Sequence, residues 1–229
     1  MLCAYLKRIG PTLRIGIVPS DGVLRVDLSD AISELSQSSI LSGPALLPLW
    51  TYDQVNLLSL GFASDNVKAL LRRFKFFVDD SFGGTVMHNA ISRINGNIIS
   101  ISDKDPAARL RSLRRVVADQ PAAFLVVDGR GPYFRIGTGL INLAYAIGAT
   151  VVPCSAQVSH ALRLRGRTAR ISIPLPRSRI VVSLGAPIYF TASKRQVSAE
   201  REASTLERAL STLGLSTHQL CQDLSRTSH

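Results

Sequence analysis

The sequence predicts an α/β fold: a single domain with a mostly parallel central sheet flanked by helices. Three observations lead there. Short apolar runs of strand length, several of them β-branched, alternate with helical stretches of roughly 10 to 15 residues, the pattern of a parallel sheet with helical crossovers. The chain of 229 residues is 46% hydrophobic and 19% charged, enough apolar material for a sizeable core without crosslinks. No linker rich in Pro, Gly and Ser splits it, and no repeat is apparent. The expected organisation is a hairpin and helical lead-in over 1–41, an α/β core over 42–190, and a C-terminal helix and tail over 191–229.

From the N-terminus, residues 15–26 alternate around Pro19-Ser20-Asp21-Gly22, consistent with a hairpin. Residues 27–41 have helical spacing, with Leu28, Ile32 and Leu35 on one face. Residues 44–50 read as a short buried strand, 65–74 as a helix and 75–78 as a strand. After the polar loop Asp79-Asp80-Ser81-Phe82-Gly83-Gly84, residues 85–94 form a helix that Asn95-Gly96 ends. A strand over 97–101 and a helix over 105–119 follow, the latter with Leu110, Leu113 and Val117 as its apolar stripe. The continuous apolar run 122–127 is a strand buried on both sides. Thr138 is placed to cap a helix that runs to Ile147, with Gly148 as terminator. A strand over 150–156 comes next, then two strands, 169–173 and 179–184, expected to pair across Pro174-Leu175-Pro176. The C-terminal helix covers about 198–213, with fraying expected from Ser216.

Charge and cysteine content narrow the chemistry. Lys+Arg 27 against Asp+Glu 16 gives +11, and 22 of the basic residues are arginines. Such a surface attracts anions in general: lipid headgroups, phosphorylated metabolites or nucleic acid. GC-rich codon usage would raise arginine in the same way. The arginines cluster at Arg72-Arg73, at Arg109, Arg111, Arg114 and Arg115, and at Arg163, Arg165, Arg167 and Arg170. Three cysteines (Cys3, Cys154, Cys221) build neither a disulfide scaffold nor a four-cysteine metal site. No two histidines lie close together, so no metal is expected. No phosphate-loop motif, dinucleotide fingerprint or nucleophile elbow occurs. Neither a signal peptide nor an 18-residue apolar run is found, so the expected location is cytoplasmic.

Ligands of open α/β sheets bind beyond the carboxyl ends of the strands. Four polar segments answer to that position: Thr51-Tyr52-Asp53, residues 79–84, residues 102–105, and Asp128-Gly129-Arg130-Gly131-Pro132. In the last of these, glycines allow close backbone approach and Arg130 can hold a phosphate or carboxylate bidentately. The alternative is a buried Asp128 that anchors its own loop, paired with Arg130. His88 lies in the first turns of a helix, where an imidazole would stay neutral and competent as a base; it can equally be a surface histidine. His160 reads as a surface residue, Cys154 as core, and His218 and His229 as tail. Phe74-Lys75-Phe76-Phe77 interleaves aromatics with a base but reads as a strand. No specific nucleic-acid partner is expected.

The order of several short motifs carries a resemblance. The run Val126-Val127-Asp128-Gly129-Arg130-Gly131-Pro132, then 137–144 and 148–153, resembles a bacterial branch of the lysophospholipid acyltransferase superfamily, with its P-D-G-P-[RK]-G-P motif, apolar helix and G-x-P-[IV]-x-P strand. The stretches 173–176 and 181–188 are similar to its later landmarks, and 43–50 resembles the strand before its W-H-G. The resemblance implies a glycerolipid acyltransferase-like α/β core over about 42–189. It also implies a histidine general base backed by an aspartate, an acyl thioester donor (acyl-CoA or acyl carrier protein), and a later Gly/Arg loop for phosphate.

This chain departs from that pattern: Thr51 stands where the histidine belongs, and residues 79–84 carry neither histidine nor arginine. A threonine hydroxyl accepts no proton near neutral pH, and losing a positioned base costs about 10²–10⁴ in rate. The resemblance therefore implies one of two outcomes. In the first, the protein transfers an acyl group to a lysophospholipid or related lipid hydroxyl. His88 is then the base, with Asp79, Asp80 and Asp128 as the supporting carboxylates, and Thr51, Gly129, Arg130 and Gly131 hold substrate or phosphate. In the second, it is a catalytically inactive relative that binds anionic lipid or a protein partner. Both place it at the inner face of a membrane as a peripheral protein, with no bound cofactor.

Overall fold

The computed structural model describes residues 1–19, 25, 44–79, 82–101, 122–128, 134–165, 170–190 and 197–226. Its elements are, in order, α1 (Leu2–Ile9), β1 (Arg14–Val18), β2 (Ala45–Leu49), α2 (Thr51–Ala63), α3 (Asp65–Leu71), β3 (Lys75–Asp79), α4 (Phe82–Arg93), β4 (Asn97–Ile101), β5 (Ala122–Val126), α5 (Thr138–Ile147), β6 (Thr150–Val151), β7 (Cys154–Val158), β8 (Ala161–Arg165), β9 (Arg170–Pro174), β10 (Arg179–Leu184) and α6 (Val197–Arg226). The expected helices over 27–41 and 105–119 lie outside the described residues, as does the arginine cluster at 109–115.

The α/β expectation is met by a five-stranded sheet, all parallel, in the order β4-β3-β5-β2-β6. Side chains alternate across it with period two. Ala45, Leu47 and Leu49 of β2, Phe76 and Val78 of β3, and Ala122 and Phe124 of β5 join one core with α2, α3 and α4. Leu46, Phe77 and Ala123 point the other way, into a core closed by α5 and α6. Both faces are covered, which is why these strands read as unbroken apolar runs. The Phe74–Phe77 aromatics are all buried, with Phe124 stacked on Phe76 at 5.3 Å.

A second sheet was not anticipated. It has three strands in the order β1-β10-β7, with β1 parallel and β7 antiparallel to β10. Its inner residues Cys154, Ala156, Val158, Ile180 and Val182 share the α2 core with the parallel sheet. One core thus spans both sheets. The N-terminal segment contributes β1 to this sheet, and a single antiparallel bridge joins Ile17 to Arg25, the part of the expected hairpin that is described.

Four expectations are corrected. The strand over 150–156 breaks at Pro153 into β6 and β7, which belong to different sheets, because proline has no N–H to continue the ladder. The two strands flanking Pro174-Leu175-Pro176 do not pair: β9 forms an antiparallel ribbon with β8, and β10 takes β1 and β7. The hairpin partner one short connection away claims β9 first. Thr138 is the first helical residue and not the cap, which is Gly137, with no side-chain bond. The tail does not fray at Ser216: α6 runs 30 residues, to Arg226. It stays helical because Cys221 and Leu224 pack on the outer face of the second sheet. Gly148 ends α5 in the left-handed conformation, as expected.

Gly10 is the close approach that locks α1 to α2. A Cβ there would lie 2.1 Å from the Phe62 carbonyl oxygen. Backbone atoms cannot yield that distance without moving a helix, so Gly10→Ala lowers stability by about 2–3 kcal/mol, in the range of overpacked cores. Urea unfolding would reveal it.

Candidate functional site

The site forms where β2 and β5 end. Leu49 is paired with Val126 in the parallel register, so two residues further along each strand Thr51 meets Asp128. Trp50 begins α2 from an extended conformation with no side-chain cap. The helix therefore starts with unsatisfied N–H groups and a partial positive charge. Asp128, buried, supplies what is missing. Its Oδ1 accepts the Thr51 backbone N–H at 2.7 Å and the Thr51 Oγ1 hydroxyl at 2.8 Å. Its Oδ2 accepts the Phe134 N–H at 3.1 Å. Phe134 is held at φ 60° and meets Trp50 edge to face at 5.4 Å. From the other side, Glu207 of α6 accepts the Ile136 N–H at 3.2 Å.

One turn into α2 lies a second carboxyl. Asp53 is completely buried and accepts from Ser155 Oγ (2.9 Å), the Ala156 N–H (3.2 Å) and Gln157 Nε2 (2.6 Å), all on β7. Asn56, one turn on, donates to the Ala156 carbonyl at 2.8 Å. Two side chains of α2 thus satisfy both backbone groups of Ala156, covering the free edge of β7. Burial pushes Asp53 up to about 7, against the three donors; the neighbouring Asp128 charge adds to the rise. Two carboxyls near one helix start thus have different tasks, one capping and one buried near its titration point.

Above this pair opens a cavity of about 440 Å³, lined by Trp50, Tyr52, Asp53, Phe134, Gln157, Arg163, Leu164, Ser211, Gly214, Leu215 and His218. Ser211, Gly214, Leu215 and His218 recur at helical spacing and give one face of α6 to it. The Arg163 guanidinium lies 5.9 Å from the centre of the Tyr52 ring. The walls are mainly apolar and aromatic with a few polar groups, the usual makeup of a small-molecule site.

Thr51 and Asp128 are in contact, and the Asp128 carboxyl accepts one backbone N–H from Thr51 and one from Phe134. Thr51-Tyr52-Asp53 is the first turn of α2 and not a loop, because Asp128 lets the helix begin at once. Asp79 ends β3, the strand beside β5, on the same edge of the sheet. Asp80, Gly129, Arg130 and Gly131 lie outside the described residues. His88 is exposed on α4 and does not line the cavity. Cys154 is buried in β7, its thiol pushed up first by burial and then by Asp53, which suits core and not a nucleophile. Asp53 belongs to the expected segment Thr51-Tyr52-Asp53 and Arg163 to an expected arginine cluster, but neither has an expected role of its own, and Gln157 and His218 have none. The available signal was Asp53, three residues after an apolar strand; His218 had none, because the helix that carries it reads as tail.

Among the described residues, no cluster of three or more His, Cys, Asp or Glu side chains is placed to hold a metal, and no helix is long and apolar enough to cross a membrane. No protein-family model matches the chain. Over 116 residues the chain is 22% identical to an uncharacterized protein of Rickettsia prowazekii (strain Madrid E), a match covering 49% of this chain and 53% of that protein. The chain thus spans about half the length of the curated relative it matches.

Proposed function

We propose that this is an acyltransferase-like protein that moves an acyl group from acyl-CoA or acyl carrier protein to a lysophospholipid or related lipid hydroxyl. One observation carries the reading: a mainly apolar cavity opens at the carboxyl edge of a parallel sheet, beside Thr51, the residue that stands where the resembled family has its histidine. The walls suit an alkyl chain, and Arg163 offers a bidentate contact to a phosphate. Thr51 donates its hydroxyl to Asp128 and cannot serve as base. The cavity supports His218 for that role in place of His88, because His218 lines it and His88 does not. The imidazole would take the proton of the acceptor hydroxyl as its oxygen attacks the thioester carbonyl; the thiol leaves with a proton. Thr51 in place of a base favours the second reading, an inactive relative that keeps the lipid site.

Acyl transfer from labelled acyl-CoA and acyl carrier protein to a lysophospholipid panel tests both. The expected result is transfer by the native chain, a loss of about 100-fold in His218→Ala, within the range for a general base, and little change in His88→Ala. The single tryptophan, Trp50, lies in the cavity wall. Quenching of its fluorescence by a chain-brominated lysolipid, without any transfer, would support the inactive relative and overturn the enzyme.

A further inference from the structure

We propose that the β8–β9 ribbon is the element by which this protein docks on an anionic lipid bilayer, so that the cavity mouth opens onto the lipid. The inference extends the lipid reading above to a surface and its partner. In β8, Leu162 and Leu164 are 53% and 45% exposed, although they sit at alternate positions of a strand that ought to hide one face. Arg163 separates them and Arg165 follows, opposite Arg170 in the ribbon register. The ribbon sequence from Ala161 to Pro174 contains no acidic residue.

Exposed leucines scattered singly are ordinary. These are not scattered. Leu164 lines the cavity, and so do Leu215 of α6, 74% exposed, and Phe134, 41% exposed. Three segments distant in sequence thus bring large apolar side chains to the rim of one cavity whose wall also carries Arg163. Apolar side chains beside an arginine suit a headgroup layer: the leucines reach the acyl boundary while the Arg163 guanidinium stays with the phosphates. The net charge of +11 draws the chain to such a surface. An alkyl chain would then pass from bilayer to cavity without crossing water.

The test is co-sedimentation with vesicles of equimolar phosphatidylcholine and phosphatidylglycerol, beside vesicles of phosphatidylcholine alone. Leu162→Asp alters the ribbon without touching the cavity lining; Tyr189→Asp changes a large residue that is more exposed still, 72%, outside the ribbon and the cavity lining. The native chain is expected to bind the mixed vesicles at least tenfold better than the neutral ones, and less well as salt rises. Leu162→Asp is expected to lose at least tenfold while Tyr189→Asp stays within twofold. Native-like binding by Leu162→Asp, equal loss in both variants, or no vesicle binding by the native chain would overturn the proposal. Transfer to a short-chain, monomeric lysophospholipid reads the enzymatic proposal separately. Its absence, with ribbon-dependent vesicle binding intact, removes the enzyme and leaves the docking surface. Its presence in a chain that ignores vesicles does the reverse.

Discussion

Asp128→Ala is expected to cost about 3–4 kcal/mol of stability and to loosen the cavity mouth together with the start of α2. The carboxyl is buried and receives three donors, two of them backbone N–H groups of Thr51 and Phe134. Each buried donor left without a partner costs about 1–3 kcal/mol, against a total stability of about 5–15 kcal/mol for a typical domain. Removal also takes the acceptor from a helix start that has no side-chain cap of its own. Phe134 adds to the effect. Its φ of 60° is unfavourable for a side chain with a Cβ, and the Asp128 bond and the Trp50 ring hold it there. Once released, it has reason to leave the cavity rim. Asp128→Asn keeps an oxygen for Thr51 but turns an amide N–H toward that of Phe134, for a loss of about 1–2 kcal/mol. Thr51→Val loses the hydroxyl bond alone, about 1 kcal/mol, and Thr51→Ser nearly nothing. Urea unfolding across the four variants measures the order. An Asp128→Ala protein within 1 kcal/mol of the native chain would mean that water replaces the carboxylate, and the anchoring role would fall.

That role was one of two open readings of the Asp128 loop, and the structure shows why spacing could not choose between them. The strands themselves were legible: 44–50, 75–78, 97–101 and 122–127 are apolar on both faces, because helices cover both faces of the parallel sheet. That a parallel neighbour would bring Asp128 to Thr51 required the register, which no run of residues displays. The helix α2 was hidden for a related reason. It is buried nearly all round, with Val55, Leu57, Leu58 and Leu60 on several sides, so it has no polar stripe to mark its period. Its polar residues Asp53, Asn56 and Ser59 are buried too, and the first two serve the edge of β7. Local propensity cannot show a strand edge that lies about 100 residues away. The cavity is assembled in the same way, from residues 50–53, 134, 157, 163–164 and 211–218. Composition showed an anion-seeking surface, but not that an arginine-bearing ribbon borders an apolar mouth.

The buried Asp53 gives the second large effect, and its sign is unusual for a carboxyl in a folded protein. Three donors from β7 favour the charged form, yet burial outweighs them and the folded chain holds the group near 7, against an ordinary value of 3.8. Between those two values the folded chain carries a proton that the unfolded chain has lost. The stability that Asp53 contributes is therefore fully present below about pH 4, declines as the pH rises, and is gone above about pH 7. The full span is on the order of 4 kcal/mol, with a slope approaching 1.4 kcal/mol per pH unit. Asp53→Asn removes the titration while keeping the shape. Its oxygen can still accept from Ser155 and Ala156, and a turned Gln157 amide can accept from the new N–H. The stability difference between native and variant should thus shift steadily in favour of the variant from pH 4 to pH 7 and then level. A difference that does not change with pH would show that Asp53 ionises as freely folded as unfolded. The same proton sets what Asp53 adds to the cavity wall, no charge below about pH 7 and a negative one above it, beside the constant positive charge of Arg163. An anionic amphiphile that quenches Trp50 should accordingly bind the native chain less well at pH 8 than at pH 6, whereas Asp53→Asn should lose much less over that interval, because its wall no longer gains a charge.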